Sequence, residues 1–385
     1  MDFALTEEQQ AVREVFARFT HDAIEPGATE RDAEGRFHYD LIAPLASTGI
    51  FGMVFPEGVG GQGASAVEYV LALEEISWSD QSVAATVANQ VGLAALPIFT
   101  FGTEAQKDRW LPSLFSGTTL GAFALTEPGG GSDNRSLATT ATAVSDGWVL
   151  NGSKTFITNA GTDLTGLIIV AARTGTSETG SPLIGAFLVA SGSPGLSVGP
   201  PLRKLGWRSS DTRAVYLDDV VVDRDAVLGD PSRGLRALLR TLEFGRIQIA
   251  TLGVGLARRA LDEAKRYALE REAFGRPIGA FQGVSFKISD MATGVRVSRL
   301  LTLEAAWRHG AGLDYGIHAS HAKLCASEVA VAAAHSCSQI MGAYGFMDDG
   351  VAGRLYRDAK VLEVGEGTSE IQRVIISRDE LGGLR

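Results

Sequence analysis

The chain is poor in the features that announce many protein classes. Two cysteines in 385 residues, Cys325 and Cys337, cannot build a disulfide framework, and neither stands in a CxxC metal spacing. They read as reduced thiols packed inside an intracellular protein. No lysine- or arginine-rich run exists and the formal net charge is −10, so nucleic-acid binding is not expected. The opening MDFALTEEQQAVREVF carries acids early, with no basic stretch ahead of an apolar one, and reads neither as a signal peptide nor as a transit peptide. No window approaches about 18 uninterrupted apolar residues, so no membrane span is expected. Familiar site motifs are missing too: no GxGxxG opening a βαβ unit, no GxxxxGK[ST], no HExxH, no GxSxG. His318 and His321 stand at i,i+3, but no carboxylate or cysteine complements them, so packing or surface roles and no metal are expected. The remainder, 45% hydrophobic and 21% charged, describes a folded chain with a large core. A soluble, cytoplasmic location follows as an expectation.

Texture divides the chain in three. Residues 1–119 read as helical: Thr6 with Gln9 and Thr103 with Gln106 have the form of capping boxes. GVGGQG at 58–63 reads as a loop, and the Ala/Val/Leu-rich stretch from Val67 to Phe99 is expected to break near Pro97. Over 120–228 short β-branched and aromatic runs, such as GLIIVAAR and AVYLDDVVV, alternate with Gly, Asn, Asp, Ser and Pro, the pattern of an antiparallel β domain. Over 229–385 helical texture returns. Ile249, Leu252, Leu256, Ala260, Ala264 and Tyr267 follow a 3.6 period, with Asp262/Arg266 and Arg266/Glu270 as i,i+4 pairs on the other face. Further helices are expected over 282–309 and 317–341. The fold class is α+β: helices, a β module, then helices.

Two loops carry candidate chemistry. Thr-Glu-Pro-Gly-Gly-Gly-Ser-Asp at 126–133 combines backbone that a ligand can approach closely with the hydroxyls of Thr126 and Ser132. By itself it is also consistent with an ordinary turn. Gly365-Glu366-Gly367 places a carboxylate between two glycines in a short break between helices, with free N–H groups from a helix starting at 368 or 369. By itself this too is consistent with a helix cap and a solvated glutamate.

Taken together, the chain resembles the acyl-CoA dehydrogenases. TEPGGGSD, NGSKTFITNAG, REAFGRPIGAFQ, QIMGAYGF and RLYRDAKVLEVGEGTSEIQR match five family motifs in order and spacing. The resemblance implies an N-terminal helical domain, a middle β-barrel-like domain and a C-terminal four-helix bundle. It implies FAD as cofactor, an acyl-CoA substrate, an electron-transfer flavoprotein as partner, and a homo-oligomer built as a dimer of dimers.

Residue by residue, Phe123, Leu125, Thr126 and Ser132 correspond to positions along the flavin, and Phe156 and Thr158 to positions covering it. Arg271, Phe274 and Gln282 correspond to positions that hold the FAD diphosphate and adenosine across a subunit interface, with Gln339 and Gly342 on its other side. Ala343 replaces the glycine usual in that turn. Thr368 and Glu370 match flavin contacts. Glu366 stands in the place of the base that takes the α-proton; Gly245 fills the alternative base slot used by some relatives. Ser132, Glu243, Arg246, Gly365 and Gly367 match substrate-channel positions. Straight-chain relatives usually carry Tyr where Gly365 stands, so a branched, cyclic or bulky acyl group is expected. The stretch SVAATVANQ at 82–90 matches a pocket-lining segment and offers no Arg for a dicarboxylic substrate. An oxidase or monooxygenase of the same fold, a dehydrogenase of carrier-bound acyl groups, and a non-catalytic scaffold are the competing readings.

Overall fold

The structure, a computed structural model, describes residues 4–383. Helices α1 (Glu7–Phe19), α2 (Ala28–Glu34), α3 (Tyr39–Ser47), α4 (Ala66–Ser79), α5 (Gln81–Ala88), α6 (Leu96–Phe101) and α7 (Glu104–Phe115) come first. Both expected capping boxes close, at Thr6/Gln9 and Thr103/Gln106, and a third, Ser65/Glu68, opens α4. The apolar stretch breaks at Asp80 rather than at Pro97. The Asp80 carboxylate accepts from the N–H groups of Ser82 and Val83, starting α5, and pairs with buried Arg31 at 3.1 Å. Pro97 follows directly on a π-helical turn, where the regular hydrogen-bond ladder is already shifted, and does not end the helix. The helix therefore runs from Gln81 to Phe101 through a π-helical turn, Asn89–Ala95. At 21 residues it is long and apolar enough to cross a membrane, although its apolar residues are not an uninterrupted run. Its most apolar window is 78% buried inside the protein, so packing accounts for its composition.

Strands β1 (Leu120–Ala124), β2 (Thr140–Val144), β3 (Gly147–Thr158), β4 (Thr165–Thr176), β5 (Pro182–Ala190), β6 (Leu196–Val198) and β7 (Thr212–Asp223) form one sheet ordered β1-β4-β2-β3-β7-β6, with β5 on β4. Most ladders are antiparallel. The sheet is nonetheless mixed, because β1 runs parallel to β4 with Gly121 opposite Leu167 and Ala124 opposite Val170. The sheet encloses its own core of Leu150, Ile157, Ile168, Phe187, Val215 and Val220.

The last part comprises α8 (Gly234–Glu270), a hairpin of β8 (Glu272–Ala273) and β9 (Arg276–Pro277), α9 (Gln282–Gly310), α10 (Gly316–Met341), α11 (Val351–Leu362) and α12 (Ser369–Glu380). Helices α8, α9, α10 and α11 pack as a bundle and α12 follows against α10. The periodic residues of α8 from Ile249 to Ala264 are buried as their spacing requires. Asp262 departs from the expected pairing: it accepts from Trp78 Nε1 at 3.0 Å, while Arg266 pairs with Glu263 and Glu270. His318 pairs with Glu304 at 3.1 Å.

Helix α11 is docked by its own charged residues. Arg354 donates to the Ser79 carbonyl at 3.2 Å, Asp358 accepts from the Trp207 N–H at 2.6 Å, and Arg357 pairs with Asp32. Burial pushes the Asp358 carboxyl up to about 7. Residues from all three parts of the chain thus fix the helix that leads into 363–368.

Candidate active site

Glu366 sits on the turn between α11 and α12 with φ +57°, a left-handed conformation that is costly for a residue with a Cβ and that recurs at functional sites. The turn is held from several sides. The Ser369 N–H donates to the Glu363 carbonyl at 2.9 Å, and the Gly367 carbonyl accepts from Lys323 Nζ at 2.8 Å and from Gln372 Nε2 at 2.9 Å. Gly367, with φ +91°, occupies backbone space closed to most residues. Glu366 is half-buried, and its Oε2 is buried with no hydrogen-bond partner. Burial pushes its carboxyl up to about 7, against the opposing pull of Arg246 and Lys323.

Its neighbour across the site is α8. A Cβ placed on Gly245 would stand 2.5 Å from Glu366 Oε2 and 3.7 Å from Leu93 Cδ2. The carboxyl therefore fills the space that a side chain at 245 would need. Arg246, next along α8, is largely buried and bonds Ser320 Oγ at 3.4 Å. Glu243 is half-buried, and burial raises its carboxyl against the charges of Arg246 and Arg240. Glu243 also lines a cavity of about 630 Å³ shared with Arg135, Arg236, Arg240 and Leu239. Its α8 lining ends at Glu243, two residues before Gly245, and Arg135 brings to it the loop that carries Ser132.

Lys323 was not legible in the sequence. It is fully buried on α10, and burial lowers its amine to about 8 against the pull of Glu366. A single Lys in an Ala-rich helix reads as a surface charge; only its partner, a carbonyl 44 residues away, gives it a role.

The 126–133 loop starts where β1 leaves the sheet. Phe123 is half-buried, Leu125 buried, Thr126 half-buried and Ser132 exposed. A second unforeseen pair anchors this loop: Lys154 Nζ lies 2.7 Å from Glu127 Oε1 and 3.2 Å from the Leu125 carbonyl, all buried. Burial favours the neutral Glu127 acid, but Lys154, Thr139 and the Ala138 N–H outweigh it and hold the carboxyl below its usual range. Glu127 and Lys154 belong to two separate motifs, so the pair ties one to the other.

Beyond Lys154, β3 shifts register and Phe156 adopts φ +60° with its ring 67% exposed. Thr158 lies half-buried at the strand end opposite Thr212. A Cβ on Gly129 or Gly130 would meet nothing within 4 Å. Open backbone at the glycines and an exposed aromatic face beside a pinned loop are features that suit a flavin ring.

The remaining sequence-derived positions lie elsewhere. Arg271 and Phe274 sit on the β8–β9 hairpin. Phe274 and Gly275 both have positive φ, as a two-residue type I′ turn requires, and Phe274 is 95% exposed. Gln282 opens α9, while Gln339 and Gly342 end α10, tied to the same region by Tyr267 against Tyr344 at 6.4 Å. Thr368 caps α12 by accepting from the Ile371 N–H at 3.2 Å, and Glu370 points to solvent in its first turn. The 82–90 stretch spends its polar groups on the β module: Asn89 and Gln90 bond the backbone of Gly121. The following π turn, through Gly92 and Leu93, reaches the site instead.

Three family models match in chain order: acyl-CoA dehydrogenase N-terminal domain over residues 6–118, middle domain over 122–220 and C-terminal domain over 232–381. The chain is 43% identical over 381 residues to a probable acyl-CoA dehydrogenase of Bacillus subtilis, covering 99% of this chain and 100% of that protein. Among solved structures it is similar to butyryl-CoA dehydrogenase from Megasphaera elsdenii, with a TM-score of 0.95 and 39% identity over 99% of this chain and 100% of that one. It is equally similar, at a TM-score of 0.95 and 38% identity over 99% and 100%, to a structure described as the electron transferring flavoprotein of Acidaminococcus fermentans.

Proposed function

The chain belongs to the acyl-CoA dehydrogenase family, an FAD-dependent oxidoreductase family, and from that premise we propose that Glu366 removes the α-proton of a short-chain acyl-CoA on the way to the trans-2-enoyl-CoA. FAD, when bound along Phe123–Ser132 and Phe156–Thr158, supplies the acceptor for the hydride that leaves the β-carbon. The observation that carries the reading is the Glu366 carboxyl, raised to about 7, with its buried Oε2 free of any hydrogen bond. A base is most useful when its pKa lies near working pH, and burial alone brings this one there. Among the described residues no oxygen accepts from the Glu366 N–H. That N–H is available to the thioester oxygen, where one preorganised donor to a developing oxyanion is worth about 3 kcal/mol.

Lys323 is a positioning residue for this base. Its hydrogen bond holds Gly367, and its charge opposes the burial that raises Glu366. Lys323→Met is expected to push the pH midpoint of substrate-driven flavin reduction upward and to lower the rate at neutral pH, while Lys323→Arg restores part of both. An unshifted midpoint in Lys323→Met with normal flavin content would remove Lys323 from the account.

Substrate length and width are set separately. Similarity to butyryl-CoA dehydrogenase supports a short acyl chain. At Gly365 a Cβ would have only the Val361 carbonyl nearby, at 3.4 Å, so room for a branch remains beside Glu366. The arginine-lined cavity supports CoA over a carrier protein as the acyl handle. Arg236 lies nine residues before Gly245, about 14 Å along the helix, and guanidinium groups suit phosphate oxygens. An electron-transfer flavoprotein as electron acceptor fits the similarity to the Acidaminococcus structure. Arg271 lies 26 residues beyond Gly245, about 39 Å along α8. That distance fits what the family resemblance implies, that the Arg271 set serves a neighbouring subunit's cofactor in a dimer of dimers.

The test is anaerobic titration of the holoenzyme with butyryl-CoA and with butyryl-pantetheine, following flavin absorbance. Bleaching by the CoA thioester at much lower concentration supports the reading. Equal concentrations would mean the nucleotide is not read, and no bleaching by either would sink the dehydrogenase assignment for this acyl class.

A further inference from the structure

Helix α8 works as a ruler for the site. The arginine cavity lies at Arg236–Arg240, Glu243 follows, and Gly245 faces Glu366. One turn further on the same face is Gln248, three residues and about 4.5 Å beyond Gly245. Gln248 is buried, and its Nε2 donates to Tyr69 Oη at 2.6 Å. Its Oε1 lies against the π turn so closely that a Cβ on Gly92 would stand 1.9 Å away. Tyr69 is itself fully buried and stacks on Phe244 at 6.0 Å and 23°. Burial raises the Tyr69 phenol well above its usual range, so it stays neutral. A polar pair is thus locked between α4, α8 and the π turn, one helical turn along α8 from the glycine that faces the reacting carboxyl.

We propose that the Gln248–Tyr69 pair closes the acyl pocket one helical turn past Glu366 and so restricts this enzyme to short acyl chains. The proposal rests on the acyl-CoA dehydrogenase reading above and adds its length-determining residues. A substrate enters from the arginine end, places its α- and β-carbons beside Glu366, and points its tail at Gln248. A longer tail must displace an amide that is wedged against Gly92 and bonded to a buried phenol. That movement costs the hydrogen bond as well as the packing, and a polar group left unpaired in an apolar site is expensive.

Rates of anaerobic flavin reduction by butyryl-, hexanoyl- and octanoyl-CoA test this in the holoenzyme. Wild type is expected to favour butyryl- over octanoyl-CoA by about 100-fold, since even one ill-fitting methylene is worth roughly tenfold or more. Gln248→Ala should narrow that ratio at least about tenfold by the same reasoning. Tyr69→Phe keeps the ring and frees the amide, so a smaller narrowing in the same direction is expected; it decides the matter if the alanine variant does not fold. An unchanged ratio in a variant with normal flavin content overturns the proposal, as does wild type that reduces equally with all three. Wild type that bleaches with none of them overturns the dehydrogenase reading, and the pocket proposal falls with it.

Discussion

Glu366→Gln is expected to keep its FAD and to lose flavin reduction by butyryl-CoA by roughly 10³-fold or more, toward the top of the range for a positioned general base. Glutamine preserves the shape of the side chain and the left-handed turn, and Oε2 makes no hydrogen bond that the substitution would remove. What disappears is a group able to take a proton near neutral pH. The same substitution has a stability signature. The folded carboxyl titrates near 7, above its ordinary 4.5, so its contribution to stability is complete below about 4.5 and is lost as pH rises through 7. The glutamine variant lacks that loss, so its Tm relative to wild type should improve on going from acid to alkaline pH. Near-normal flavin reduction in this variant would mean that another group is the base.

Gly245→Ala should come next in size. A methyl group there would stand 2.5 Å from Glu366 Oε2, which is closer than such atoms approach, so the carboxyl must move. A displacement of about 1 Å can cost about 100-fold in rate, and a loss of that order is expected with FAD still bound. Because the two positions share one space, exchanging them is informative. Glu366→Gly combined with Gly245→Glu should recover part of the rate that Glu366→Gly alone loses. A Gly245→Ala variant at full activity would show that the carboxyl is not held against α8.

Much of this was legible in the sequence because it is local. Capping boxes at Thr6 and Thr103, the periodic face from Ile249 to Ala264, and a glutamate between two glycines are each written within a few residues. What the sequence hid depends on partners far along the chain. Lys154 and Glu127 look like ordinary motif residues until they meet as a buried pair, and Lys323 looks like a surface charge until it reaches the Gly367 carbonyl. Gln248 carries no local signal, since only Tyr69, 179 residues away, shows that its amide is held. The helix break moved from Pro97 to Asp80 because the helix carries Pro97 just past a π-helical turn, whereas an aspartate that caps the next helix ends the one before. The parallel pairing of β1 with β4 joins strands distant in sequence, and alternation within a strand does not reveal its neighbour's direction. The expectation of a bulky acyl group rested on Gly365 alone. In the account proposed above, Gly365 bears on width beside the reacting carbons, and depth is assigned to α8 and α4.

The most direct test of the central claim is the pH dependence of single-turnover flavin reduction by butyryl-CoA in anaerobic stopped flow. With Glu366 as the base, the rate should climb as the carboxyl loses its proton and level off at higher pH, with a midpoint near 7. A rate that is flat across the neutral range, or a midpoint in the ordinary carboxylate range, would contradict the assignment of a burial-tuned Glu366 as the group that starts the reaction.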